Sequence, residues 1–176
     1  MTAMMKKATF INMSRPHKAA LTGFLLLALL HLFVVSAGMA LTRSGTSAQS
    51  IREHYAGNDA DETVPIENLR AAKTVDEILE ITHFHMAVMP IFTFLLCHLL
   101  AMAATMGVRS KIGIIIAAYL SIALEMSVPW FGLFAPSLTV LRLASRAGMV
   151  VTNLISICVP MYEMWIWKTG SERTHH

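Results

Sequence analysis

Charge is what this chain has least of. Lys, Arg, Asp and Glu make up 14% of its 176 residues, against 55% apolar residues and a mean hydropathy of +0.57. A soluble domain of ordinary composition is about one-quarter charged, so the balance here fits a polytopic membrane protein instead. The net charge of +3 is small and sits at the ends of apolar runs. It reads as topology signal, and no nucleic-acid partner is expected. Cysteine is also scarce. Cys97 and Cys158 both lie in apolar segments, with no Cys-x-x-Cys and no Cys-x-x-Cys-His. That leaves a thiol redox motif and covalently attached c-type haem unsupported. No internal repeat is evident. Methionine is plentiful at 13 residues. Its ordinary role is filling gaps in a helical core; handling a metal is the competing reading.

What is there in quantity is long uncharged runs. Residues 1–18 form a basic arm with Lys6, Lys7, Arg15 and Lys18 and no acid. Residues 19–41 carry no charge and are long enough to cross about 30 Å of hydrocarbon. A signal peptide cleaved near Val35-Ser36-Ala37 is the competing reading of that run. Residues 42–74 are polar. Extended to Glu80 the segment holds eight acids and four bases, a net of −4. The positive-inside rule then predicts a cytoplasmic N-terminus and an extracytoplasmic acidic loop. Residues 66–72 have the pattern of a short helix.

Thr74-Val75-Asp76-Glu77 has the form of a capping box. It predicts a long second span over 75–106, kinked at Pro90. Gly107 to Lys111 reads as a tight basic turn at the cytoplasmic side. The third span, 112–134, contains Glu125 and Pro129. The fourth, 136–168, begins with Pro136 in its first turn and ends on the aromatic and basic anchor Trp165, Trp167 and Lys168. The tail 169–176 is polar, and His175-His176 has the look of a tag remnant. The expectation is an all-α bundle of four transmembrane helices with both ends inside, in a cell inner membrane and in contact with lipid.

Polar residues inside such spans are expensive, which makes them functional candidates. Counting residues from the cytoplasmic ends groups His31, His98, Glu125 and Asn153 in a middle tier, and His83, His85, Arg146 and Met39 in an outer one. His31 and His98, on antiparallel helices, would suit axial ligation of a b-type haem. Other readings stay open: a non-haem metal, a quinone pocket, or imidazoles hydrogen-bonded between helices. His83 and His85 diverge by about 200° on a helix, so one of them, His83, would serve an outer site with His54, Met39 or Met86 as partner. Glu125 could accept a proton from a quinol, hold a ligating histidine, or ligate a metal. Glu163 reads as an interfacial anchor. Arg142 and Arg146 share a helix face and would pair with the acidic loop or bind anionic groups such as haem propionates.

Together, His83-x14-His98 on one helix, His31 on the helix before it, and four spans with both ends inside resemble the small four-helix membrane subunits that carry b-type haem and anchor respiratory complexes. The resemblance implies a haem b subunit moving electrons between a membrane quinone and an extracytoplasmic redox protein or other subunits. It departs from the two-haem pattern in offering only His31 on the first span, so one haem is expected over two. A copper protein built on His and Met, and a purely structural membrane subunit, are the alternatives.

Overall fold

The computed structural model describes residues 10–42, 47–58 and 65–167. Its long helices are α1 (Arg15–Thr42), α3 (Val75–Met102), α4 (Val108–Phe134) and α5 (Leu141–Trp165), with a short helix α2 (Ala48–Ala56) between α1 and α3. Single 3-10 turns occupy Phe10–Asn12, Ile66–Asn68 and Pro136–Val140, and the described residues contain no strand. Four helices are long and apolar enough to cross a membrane: Arg15–Gly38, Val75–Met102, Val108–Phe134 and Ser137–Trp165. The all-helical, four-span fold read from composition is the fold observed.

The boundaries follow local chemistry. The Thr74 hydroxyl accepts from the Glu77 N–H, and the Glu77 carboxylate accepts from the Thr74 N–H at 2.9 Å, so the predicted capping box starts α3. The helix continues through Pro90 and ends at Met102, four residues earlier than expected. There the Lys111 ammonium donates to the carbonyls of Ala101 and Ala103, satisfying the orphan acceptors of the last turn. The turn is therefore 103–107, and α4 takes over residues assigned to it from the sequence. The fourth span opens with a 3-10 turn at Pro136 before the α-helix proper. The short helix predicted over 66–72 is a single 3-10 turn, and its place is taken by α2, capped by Ser47.

α5 is the central element, packed against α1, α3 and α4. It is also the most polar inside. Arg142, Ser145, Thr152, Asn153, Ser156 and Glu163 are all buried, while Val151, Tyr162 and Trp165 face outward. Along the helix, Arg142 and Ser145, Ser145 and Thr152, Thr152 and Ser156, and Ser156 and Glu163 are three, seven, four and seven residues apart, one stripe of a helix. In lipid this is the expected arrangement, because apolar surface gains nothing by leaving hydrocarbon and helices associate through close packing and hydrogen bonds. Gly148 illustrates the packing: a Cβ there would collide with the Ser121 hydroxyl of α4. Larger apolar residues fill the other seam, where Leu25, Ala28, Leu96 and Ile157 form one buried cluster.

Two ends of the bundle can be distinguished. The loop end carries α2 and the starts of α3 and α5. The turn end carries the α3–α4 connection and the start of α1.

Candidate functional site

At the loop end a carboxyl group sits between two guanidinium groups inside the bundle. Glu125 of α4 is 12% exposed at its side chain. Its Oε1 is 3.0 Å from Arg142 Nη2 and 3.9 Å from Arg146 Nε, both from α5. Its Oε2 accepts from the Ser145 hydroxyl at 2.5 Å. Arg142 and Arg146 thus turn inward to Glu125, a partner not foreseen for them. The expected tiers separated them because the helix ends were misplaced. Counted from the observed ends, Glu125 lies 17 residues beyond Val108 and Arg146 lies 19 before Trp165, a difference of about 3 Å in height. An arginine side chain spans that easily.

α2 covers this cluster. Its Ile51 and Tyr55 are buried against Val128, with Leu124, Phe131 and Leu141 around them. The Tyr55 ring lies 5.1 Å from the Arg142 guanidinium carbon, within cation–π range. It packs so closely on Gly132 that no Cβ could be placed there. His54 is half-buried beside it, its ring edge-on to Tyr55 at 4.9 Å. Burial, reinforced by the positive charges of Arg142, Lys73, Arg70 and Arg146, lowers the His54 pKa from 6.5 to about 4. The imidazole is neutral at pH 7.

A narrow cleft of about 20 Å³ adjoins the cluster, lined by Ile81, Thr82, His85, Glu125, Met126, Pro129 and Arg142. Exposed Ile81 forms its rim, and buried Arg142 and Pro129 its floor. Arg142 is 8% exposed, and its Nε and Nη1 have no hydrogen-bond partner among the described residues. Thr82 is also 8% exposed, and its hydroxyl likewise has none. A buried donor left unpaired costs about 1–3 kcal/mol, more when charged. His85 Nδ1 lies 2.7 Å from the Ile81 carbonyl. A carbonyl only accepts, so Nδ1 carries the proton, and Nε2 of the neutral ring is left as an acceptor.

The other candidates are placed elsewhere. His31 and His98 are both exposed on the outside of the bundle. The His31 ring meets Phe92 of α3 at 5.8 Å, and the His98 ring stacks on Phe94 of its own helix at 5.9 Å. His98 follows Phe92 by six residues, so it lies about 9 Å further along α3 and about 120° around it. The expected axial pair therefore does not form within one chain. Among the described residues no three of His, Cys, Asp and Glu converge as metal ligands. With the two rings resting on different phenylalanines, a haem or copper ion between His31 and His98 would need both side chains to turn. His83 is exposed. His54 lies on α2 against Tyr55, and the Met39 side chain is outside the described residues. Glu163 is buried at the turn end and accepts from the Thr105 N–H at 2.5 Å, so it braces the α3–α4 turn and does not anchor at the interface.

The elements that build the loop-end site coincide with a recognised unit. A family model described as a transmembrane helical domain matches residues 45–172. The chain belongs to this family of transmembrane helical domains. The matched stretch holds α2 to α5, hence every residue of the cleft, and leaves α1 with His31 outside. No curated protein and no solved structure matches the chain.

Proposed function

We propose that the chain is a membrane subunit of an electron-transfer system that binds the head of a membrane quinone in the loop-end cleft. One observation carries the reading: Arg142 and Thr82 are buried, line the same cleft, and retain donor groups without partners. A ligand with acceptor oxygens and an apolar body suits those donors and the Ile81, Met126 and Pro129 walls. A quinone has both, and its isoprenoid tail stays in the lipid outside the rim. At about 20 Å³ the cleft is far smaller than pockets that enclose a whole ligand, so only a carbonyl oxygen enters and the ring lies at the rim.

The protein's own groups then divide the work. Arg142 and Thr82 donate to a carbonyl oxygen. His85 Nε2 is the acceptor available for the proton of a quinol hydroxyl, and Glu125 holds Arg142 in place by its ion pair. The quinol's two electrons leave in two successive one-electron steps to a carrier on an extracytoplasmic redox protein, one hydroxyl proton passing to His85 Nε2 and the other to water at the open side of the rim. That direction rests on the charge asymmetry that predicts the loop end to be outside.

Titration of the detergent-solubilised protein with a short-chain quinone, followed by the fluorescence of Trp130 next to Pro129, tests the reading. The expected result is saturable quenching, weakened about tenfold or more in Arg142→Gln and severalfold in Thr82→Val, as loss of hydrogen bonds to bound oxygen predicts. Thr82→Val preserves shape and keeps the test valid if the arginine variant misfolds. Unsaturable quenching, or equal affinity in all three proteins, overturns the proposal.

A further inference from the structure

The turn end has a cleft of its own, about 370 Å³, that the quinone reading leaves unused. It is lined by the last turn of α3, the connection, and the first two turns of α4, with Met102, Val108, Ile112 and Ile115 as its larger apolar walls. Ala101, Ala103 and Ala104 are small, which leaves the space open. Val108 is 68% and Ile112 51% exposed, so the cleft opens sideways, away from the bundle axis.

Its charge is of one sign. Lys111 lines it, its ammonium tethered by the Ala101 carbonyl at 3.0 Å and by that of Ala103. Both acceptors are neutral carbonyls. Arg109 is exposed two residues earlier, in a helix turn that contains no acid. Neither cation meets a carboxylate among the described residues. Of the buried Glu163 carboxylate, one oxygen accepts from the Thr105 N–H of the connection and the other has no hydrogen-bond partner among the described residues.

From this combination we infer that the turn-end cleft binds an anionic phospholipid drawn from the surrounding leaflet. Its phosphate sits at Lys111, the one cation lining the cleft, while Arg109, about 200° away around α4 and about 3 Å from it in height, adds to the positive potential around the headgroup, and an acyl chain runs along Val108, Ile112 and Ile115. The apolar walls favour a lipid over a soluble anion, which would leave them exposed. The uncompensated positive pair favours an anionic over a zwitterionic headgroup, by about fivefold per basic residue. Tethering Lys111 to two carbonyls fixes the charge at the rim, so little freedom is lost on binding.

Native mass spectrometry of the full chain, exchanged into detergent with phosphatidylglycerol, phosphatidylcholine or inorganic phosphate alone, tests the site. The expected result is retention of phosphatidylglycerol well above phosphatidylcholine, with no displacement by millimolar phosphate. Arg109→Gln should lower that retention about fivefold, and Arg109→Gln with Lys111→Gln further. Because Lys111 also closes α3, a third variant, Ala104→Phe, fills the apolar space with all charges intact and should likewise reduce retention. Equal retention of both lipids, displacement by free phosphate, or unchanged retention in Arg109→Gln and Ala104→Phe would each overturn the inference.

Discussion

Glu125 is held by three groups from one neighbouring helix, and its removal separates a structural from a local role. Breaking a buried ion pair from one side is strongly destabilising, by about 3–5 kcal/mol, because the remaining charge has no counterion. Here Glu125→Gln would strand Arg142, itself almost fully buried. The variant is expected to unfold at clearly lower temperature in detergent, while Glu125→Leu combined with Arg142→Leu recovers much of the loss. Thermal unfolding of the two proteins measures this; an unchanged midpoint for Glu125→Gln contradicts the ion-pair geometry. The sequence made each of these residues conspicuous without revealing their union. Hydropathy marks a charge within a span, but azimuth and depth decide its partner. The same limit explains His31 and His98. Both are costly residues at plausible depth, yet which helix face is interior depends on the polar stripe of α5, and that is a property of the packed bundle.

α2 is the element that composition hid. Its segment is polar, and only Ile51 and Tyr55, four residues apart, signal a buried face behind the Ser47 cap. The capping box of α3 was legible because its chemistry is entirely local; the docking of α2 depends on Gly132, 77 residues away from Tyr55. Its attachment should also be pH-dependent. The docked His54 titrates at about 4 against 6.5 when free, so docking favours the neutral ring. The sign follows: docking is at full strength above pH 6.5 and weakens as pH falls from 6.5 towards 4. The groups that set this are Arg142, Arg146, Arg70 and Lys73, all positive, with Glu53 adjacent on the helix itself. Hydrogen exchange across residues 48–56, corrected for intrinsic rates, should show lower protection at pH 5 than at pH 7.5. His54→Gln should abolish the difference; a difference that persists in that variant would assign it to another group.

At the scale of the molecule, four spans and an all-helical fold were readable because long, predominantly apolar runs without strand alternation satisfy their backbone groups in lipid as helices. The site was not, because it lies where α3, α4 and α5 converge beneath a helix from the loop. α5 turns its polar side inward, and at the loop end Arg142 and Thr82 keep donor groups that no described residue meets. The central claim is that this convergence receives a quinone from the lipid. Photolabelling in proteoliposomes with an azido-quinone that keeps its isoprenoid tail tests it most directly. The account predicts label in peptides containing Ile81 to His85 and Glu125 to Pro129, suppressed by excess unlabelled quinone and by Arg142→Gln. Label spread evenly over the lipid-facing helices, or gathered at His31 and His98, would contradict it.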